Sequence, residues 1–401
     1  MRSTARILGS LAICALGACP AAASDLLIDH QTNQVFDGGH YDRLIIQNSA
    51  SITVRNAHFS IASAGSVVAI HDSHDVVLEN SDLDGGGEAC EGVSIVNSQA
   101  VTIARNAVHD IADDGLEIFD ASGLMIDGNV IYRLIGKGTD GTIPGPCFNG
   151  HSDGIEIARV SNSTINGNLI FDVRSDAAVF LSNDASGPAQ YCRDLAFTNN
   201  VFVTPEASFT MYAFQTEGLS IRNNVIWKGL YGGLAVGDGV TDMDVANNVL
   251  ESINYSQLDP PYVAAEHRYS HNRVADVAGW NQTPAIFGDE RGNTSGEPDF
   301  AAAPALAAFG TPGDWRQPAS GPPRFAVADF APALESPLID EGDTTAAPPF
   351  DALGAPRPQG AAADIGAVEL VPEPDAPLLG GTVAFLLAVL AQWRCPSARL
   401  G

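Results

Sequence analysis

Leu124-Met125-Ile126-Asp127-Gly128-Asn129-Val130-Ile131-Tyr132 places two short apolar runs on either side of an Asp-Gly-Asn break. The plan recurs along the chain. An apolar residue returns at Val54, Leu78, Ile103, Ile126, Ile165, Phe197, Ile221, Val245 and Tyr269, with spacings of 24, 25, 23, 39, 32, 24, 24 and 24 residues. An Asn follows each by two or three positions, at Asn56, Asn80, Asn106, Asn129, Asn168, Asn200, Asn224, Asn248 and Asn272. A third run, such as Ile155-Glu156-Ile157, completes each unit, and Asn, Gly, Asp and Ser separate the runs.

Three strands in a turn of about 24 residues predict an all-β, single-stranded right-handed parallel β-helix of about nine coils between Ser49 and Val274, followed by an irregular C-terminal tail. Coils stacked about 4.8 Å apart would align equivalent side chains into a continuous apolar core. The Asn column then reads as an internal amide ladder, each amide satisfied by its neighbours and by backbone. Ser49, Ser73, Ser98, Ser122 and Ser161 read as a second turn column. Both columns are structural rather than catalytic.

The repeat resembles the pectate-lyase-like β-helix superfamily over roughly residues 44 to 275. That resemblance implies the scaffold and leaves the reaction open, because lyases, hydrolases, epimerases, adhesins and inert proteins share it.

Arg2 and Arg6, the apolar stretch Ile7 to Ala18, and Ala21-Ala22-Ala23 have the layout of a secretion signal ending before Ser24. Leu16-Gly17-Ala18-Cys19 also resembles a lipoprotein cleavage site, which would make Cys19 a lipidated first residue. Without the leader, 18 basic residues face 48 acidic ones, a charge that repels nucleic acid and anionic lipid. An anionic polymer could then bind only through a local basic patch or a bridging cation.

After Val274 the period stops. Ser336-Pro337-Leu338-Ile339-Asp340-Glu341-Gly342-Asp343, Pro356-Arg357-Pro358 and Asp364-Ile365-Gly366-Ala367-Val368-Glu369 resemble the choice-of-anchor Q tail found after bacterial β-helices. Val371-Pro372-Glu373-Pro374, the apolar segment Pro377 to Trp393, and Arg394 and Arg399 resemble a PEP-CTERM sorting signal of Gram-negative exosortase systems. The basic end departs from that pattern, since Cys395 and Pro396 split its two Arg residues. The expected organisation is a leader over 1–23, an N-terminal cap over 24–43, the β-helix over 44–279, the tail over 280–370 and the sorting segment over 371–401. These resemblances imply a secreted monomer at the surface or outer membrane of a Gram-negative bacterium, with the sorting machinery as one partner.

The strands Glu91-Gly92-Val93-Ser94-Ile95, Asp114-Gly115-Leu116-Glu117-Ile118, Asp153-Gly154-Ile155-Glu156-Ile157 and Asp176-Ala177-Ala178-Val179-Phe180 align one coil apart. The alignment predicts a stack of Glu91, Asp114, Asp153 and Asp176 at one edge, with Glu117 beneath Glu156 facing solvent. Such a ladder repels itself unless protons or a cation intervene. Asp-Gly is also a common turn dipeptide, so each Asp alone has a purely structural reading.

Both breaks in the period touch this face: about 15 extra residues at 136 to 150 and about 8 at 182 to 193. The first insert carries Lys137, one of two Lys residues in the chain, and Cys147, and it runs into His151. Cys90 lies on the same edge two coils earlier, so Cys90–Cys147 is the first choice of bridge, with Cys147–Cys192 the alternative.

The candidate constellation is Asp114, Glu117, Asp153, Glu156 and Asp176, with His109, His151, Lys137 and Arg174 at the rim. A polysaccharide lyase would hold Ca²⁺ on Glu117, Glu156, Asp114 and Asp153 to neutralise a uronate, while Lys137, His151 or Arg174 removes its α-proton. A glycoside hydrolase would use two of Asp114, Asp153 and Asp176 as acid and base. Polygalacturonase-like β-helices carry Gly-His-Gly and Arg-x-Lys motifs, which are absent here. A third reading is a non-catalytic glycan-binding, adhesin-like or structural surface protein. In that case the partner is still a polysaccharide or surface glycan. Trp227, Tyr231 and Tyr212 read as strand or rim packing.

Overall fold

A computed structural model describes residues 24–61, 63–134, 147, 152–174, 176–181, 187–205, 207–254, 267–275, 291–302 and 325–371. The leader over 1–23, most of the 136 to 150 insert, His151 and the segment after 371 lie outside the described residues. The chain divides into two compact units, 1–370 and 371–401, and only Val371 of the second is described.

The first unit is a right-handed parallel β-helix made of three sheets with ten, ten and eleven strands. Successive strands of one sheet are three elements apart in sequence, so the chain visits each sheet once per coil. Strands begin at Leu26–Asp29, Thr32–Asp37 and His40–Tyr41, so the segment read as a cap already forms a rung.

Alternation along each strand drives the stack. In the first sheet Val68, Val93, Leu116, Ile155, Val179, Met211, Leu234 and Ile253 form one inward column, each paired with the next. All are essentially inaccessible to solvent. β-branched side chains suit this pleated, fully buried surface, and each contributes about 1.5–3 kcal/mol through burial.

The amide ladder runs from Asn106 through Asn129, Asn168, Asn200, Asn224, Asn248 and Asn272 to Asn293. Each Oδ1 accepts from the main-chain N–H and the Nδ2 of the Asn one rung before, as Asn200 does from Asn168 at 2.9 and 3.0 Å. Asn56 and Asn80 do not belong to it. They stand one residue early, with positive φ at the bend, and Ala57 and Ser81 occupy the inward slot. The Ser column is likewise shorter than expected. Ser49, Ser73 and Ser98 pass hydrogen bonds between rungs, whereas Ser122 bridges Gln99 and Ser161 by main-chain pairing.

The tail lies on the outer face of the third sheet. Phe325, Phe330, Leu338, Ile365, Ala367 and Val368 form a second apolar cluster with Tyr132, Phe171, Val203, Trp227 and Val249. Asn223 donates to the carbonyls of Asp364 and Gly366, and Arg357 is buried against Glu369 at 2.8 Å. Asp364-Ile365-Gly366-Ala367-Val368-Glu369 is therefore a docking segment. Trp227 belongs to this packing, as expected for it. Among the described residues no helix is long and apolar enough to cross a membrane.

Candidate functional site

Three consecutive strands of the first sheet carry the acidic face: Glu91–Val96, Asp114–Phe119 and Asp153–Ala158. Their second residues, Gly92, Gly115 and Gly154, form a column. A Cβ on Gly115 would lie 2.5 Å from the carbonyl oxygen of Gly154, and one on Gly154 2.4 Å from that of Ala178. Neither glycine has positive φ. Asp-Gly is thus no left-handed turn here. Glycine is required by the close approach of successive rungs, and that approach brings Asp114 and Asp153 together.

The main-chain N–H of Asp153 donates to Asp114 Oδ1 at 2.7 Å, and the Ser152 hydroxyl donates to the Asp113 carbonyl at 2.6 Å. Asp114, Asp153 and Glu156 are 1, 0 and 4% exposed. Glu117 pairs with Glu156 in register, and Asp114, Glu117 and Glu156 each offer an oxygen within 4.8 Å of the others. Burial, followed by the charges of Asp153, Asp113 and Glu156, holds the Asp114 carboxyl well above the ordinary carboxylate range, against the opposing Asp153 N–H. Such a cluster is relieved by a proton or a cation. Three convergent carboxylates form an all-oxygen donor set of the kind Ca²⁺ takes, so the residues fit that ion.

Asp176 is not in the stack. Asp153 pairs with Ala177, and the main-chain N–H of Asp176 donates to the Ser152 carbonyl. The expected alignment was one residue out. Inward positions go to Val179 and Leu181, which leaves Phe180 on the outer face, and a slip of one residue exchanges the two faces. Asp176 still contributes its charge to the site through Tyr212.

His109 is also elsewhere. It sits on the third sheet, held by Asp82 at 2.9 Å and Asp110 at 2.6 Å and stacked on Tyr132. Burial disfavours its charge, but the hydrogen bonds and charges of Asp110 and Asp82 prevail and raise its pKa to about 9. Asp84, His109 and Asp110 also converge as potential ligands, with Arg133 paired to Asp110 beside them. The Arg174 guanidinium forks onto Asp172 at 2.8 and 3.2 Å. A guanidinium so paired keeps its proton, which opposes a role as base. Lys137 and His151 lie outside the described residues. A disulfide joins Cys90 to Cys147, and Cys192 is a buried free thiol. The bridge ties the insert to the edge of Glu91, which accepts from the Ser66 hydroxyl at 2.8 Å.

The outer column of the first sheet reads Ser94, Glu117, Glu156, Phe180, Tyr212, each paired with the next. Carboxylates give way to aromatic rings along one line. Phe180 and Tyr212 meet edge to face at 5.6 Å, Phe209 packs on Tyr212 at 4.9 Å, and Tyr231 is half exposed beside Phe209. Burial and then the charges of Asp176 and Asp153 raise the Tyr212 hydroxyl pKa, so that hydroxyl stays protonated next to the acids. Tyr212 and Tyr231 pack on Phe209 as expected, and Tyr212 also continues the outer line from Phe180. The pairing of Glu156 with Phe180 exposes it, and only the correct register gives that pairing.

Residues 26–142 match the family described as right handed beta helix region. No curated protein matches the chain. Similar solved structures include the pectate lyase Pel9A, at 14% identity and TM-score 0.40, covering 87% of this chain and 89% of that one. A periplasmic alginate epimerase is similar at 15% identity and TM-score 0.39, covering 55% of this chain and 50% of that one. A surface adhesin of Streptococcus pneumoniae is similar at 10% identity and TM-score 0.33, covering 63% and 65%. The chain thus spans half the epimerase's length and 65% of the adhesin's.

Proposed function

We propose that the outer face of the first sheet binds an acidic polysaccharide along the helix axis and, with Ca²⁺ on Asp114, Glu117 and Glu156, cleaves it by β-elimination. The observation that carries this reading is the unbroken column from Glu117 and Glu156 to Phe180 and Tyr212. Aromatic faces suit the apolar faces of pyranose rings, and rungs about 4.8 Å apart are close to one sugar unit in length. Asp114, Glu117 and Glu156 would hold Ca²⁺, whose charge would offset that of a uronate carboxylate and make its C5 proton more acidic.

Asp114, Glu117 and Glu156 would supply the donor oxygens, Asp153 holds Asp114 in place through its N–H, and Phe180 with Tyr212 would orient the chain. The base takes the C5 proton, the freed electron pair forms the C4–C5 double bond, and the C4–O bond breaks. The departing oxygen is protonated from solvent. Lys137 and His151 remain the candidates for the base. Secretion and surface display through the terminal segment, with the sorting machinery as partner, belong to the same proposal.

The second reading is a glycan binder without turnover, favoured by the pairing of Arg174 with Asp172. Product chemistry separates the two. Uronate polymers incubated with the protein and Ca²⁺ should yield the ultraviolet absorbance of an unsaturated sugar, and chelator should abolish it. New reducing ends without absorbance would mean hydrolysis, and retention of glycan with neither signal would mean binding alone.

A further inference from the structure

A second polar recess lies far from the acidic face, between the second sheet and the tail. It is a cleft of about 460 Å³ whose charged lining is Arg222, Arg268, Arg291, Asp244 and Asp343. In a chain of net charge −28 with only 20 basic residues, three arginines in one cleft are a concentration of opposite sign.

The carboxylates present do not neutralise them. A single oxygen, Asp244 Oδ2, serves both Arg222 at 2.5 Å and Arg268 at 3.7 Å. The Asp343 carboxylate is turned to its own loop, accepting from the N–H and hydroxyl of Thr345 at 2.8 and 2.7 Å. Arg222 Nε is buried without an acceptor. The Arg268 side chain is 69% exposed at the mouth.

Register sets the shape. Arg222 pairs with Ala246 and Ala246 with Ser270, while the main-chain N–H of His271 donates to the Arg291 carbonyl. Arg222 and Arg291 therefore stand at the two ends of a floor of small residues, three rungs or about 14 Å apart. The tail itself is fixed there, since the Asp343 N–H donates to Asn247 Oδ1 at 2.7 Å. Arg222 and Arg268 stand on strands of the second sheet, and guanidinium groups lining a recess of ligand size suit oxyanions.

We infer that this cleft is an oxyanion-binding site, formed by Arg222, Arg268 and Arg291 and taking a sulfate, phosphate or carboxylate group. The anion arrives either free or carried on an acidic glycan, and the site does not depend on chemistry at the first sheet.

The test is titration calorimetry at low salt with the full chain, using inorganic sulfate, inorganic phosphate and a short oligouronate as probes. The reference variant is Arg268→Gln with Arg291→Gln, and Arg55→Gln with Arg105→Gln removes the same charge elsewhere. Binding of at least one probe should weaken tenfold or more in the first variant and not in the second, with both variants melting close to the parent. Preference for the oligouronate over the inorganic anions marks a glycan-borne group, and the reverse marks a free anion. Equal weakening in both variants reduces the effect to net charge and overturns the inference, as does failure of all three probes to bind the parent. Variants at Phe180 or Tyr212 on the first sheet should leave this binding unchanged, which keeps its outcome separate from that of the proposed function.

Discussion

Asp153 reaches back one rung with its main-chain N–H to Oδ1 of Asp114 at 2.7 Å, so these two acids of the first sheet are joined through backbone. That bond favours the ionised form of Asp114, yet burial and three neighbouring carboxylates outweigh it. The result is a carboxyl whose pKa stands well above the ordinary carboxylate range.

Stability should therefore depend on pH in a particular direction. A carboxyl whose folded pKa lies above its unfolded value of 3.8 stabilises the fold below that value, and the contribution is lost as pH rises through the folded pKa. In chelator the melting temperature should fall as pH increases above 4, and Ca²⁺ should restore it. Asp114→Asn should flatten the dependence and remove the Ca²⁺ effect. A melting profile identical in parent and variant would contradict this.

His109 behaves oppositely to a carboxylate that is simply ion-paired. Its folded pKa of about 9 exceeds the ordinary 6.5, so its ion pairs act fully below pH 6.5 and fade as pH rises through about 9. Asp82 and Asp110 remain partly open to solvent, which discounts the contribution to about 1–2 kcal/mol. His109→Gln should abolish that loss in urea unfolding between pH 6 and pH 10.

Gly154→Ala tests the close approach of the rungs. The added Cβ would stand 2.4 Å from the Ala178 carbonyl oxygen, and overpacking of this kind costs about 1–3 kcal/mol. Chemical denaturation should show that loss, and Ca²⁺ affinity should fall with it because Asp153 moves. Gly187→Ala, where a Cβ meets nothing within 4 Å, should leave both unchanged.

Asn200→Ala interrupts the amide ladder at its middle. It strands the Asn168 N–H and the Ile165 carbonyl, for a loss of about 2–4 kcal/mol in unfolding free energy. Asn56→Ala, at a bend outside the ladder, should cost much less in the same assay.

Tyr212→Ala and Phe180→Ala should weaken binding of acidic oligosaccharides by about tenfold, the scale of one ring–sugar contact near 1.4 kcal/mol. Melting temperatures close to the parent would place the effect on the ligand. Unchanged affinity in an affinity gel would remove these rings from the glycan path.

The coil was legible because its period is long and its inward residues are aliphatic, as in the column Val93, Leu116, Ile155 and Val179. Glu117 opposite Glu156 was equally legible, since both strands carry the same Asp-Gly-x-Glu-Ile pattern. Asp176 was not, because Ala177 and Ala178 are small enough for either face and only packing of Val179 and Leu181 decides between them. The ladder was blurred where Asn56 and Asn80 mimic its members one position early, a difference of backbone φ that composition does not carry. The arginine cleft was hidden for a further reason. Arg222, Arg268 and Arg291 are spread over 70 residues and meet only through register and the folding back of the tail.

Asp114, Glu117 and Glu156 are expected to hold one divalent cation together. Titration of Ca²⁺ into the chelator-stripped full chain and into Glu117→Gln with Glu156→Gln tests it most directly. The parent should show one saturable site that is missing from the variant, with both proteins folded at the titration temperature. Equal Ca²⁺ binding by the two proteins, or none by the parent, would contradict it.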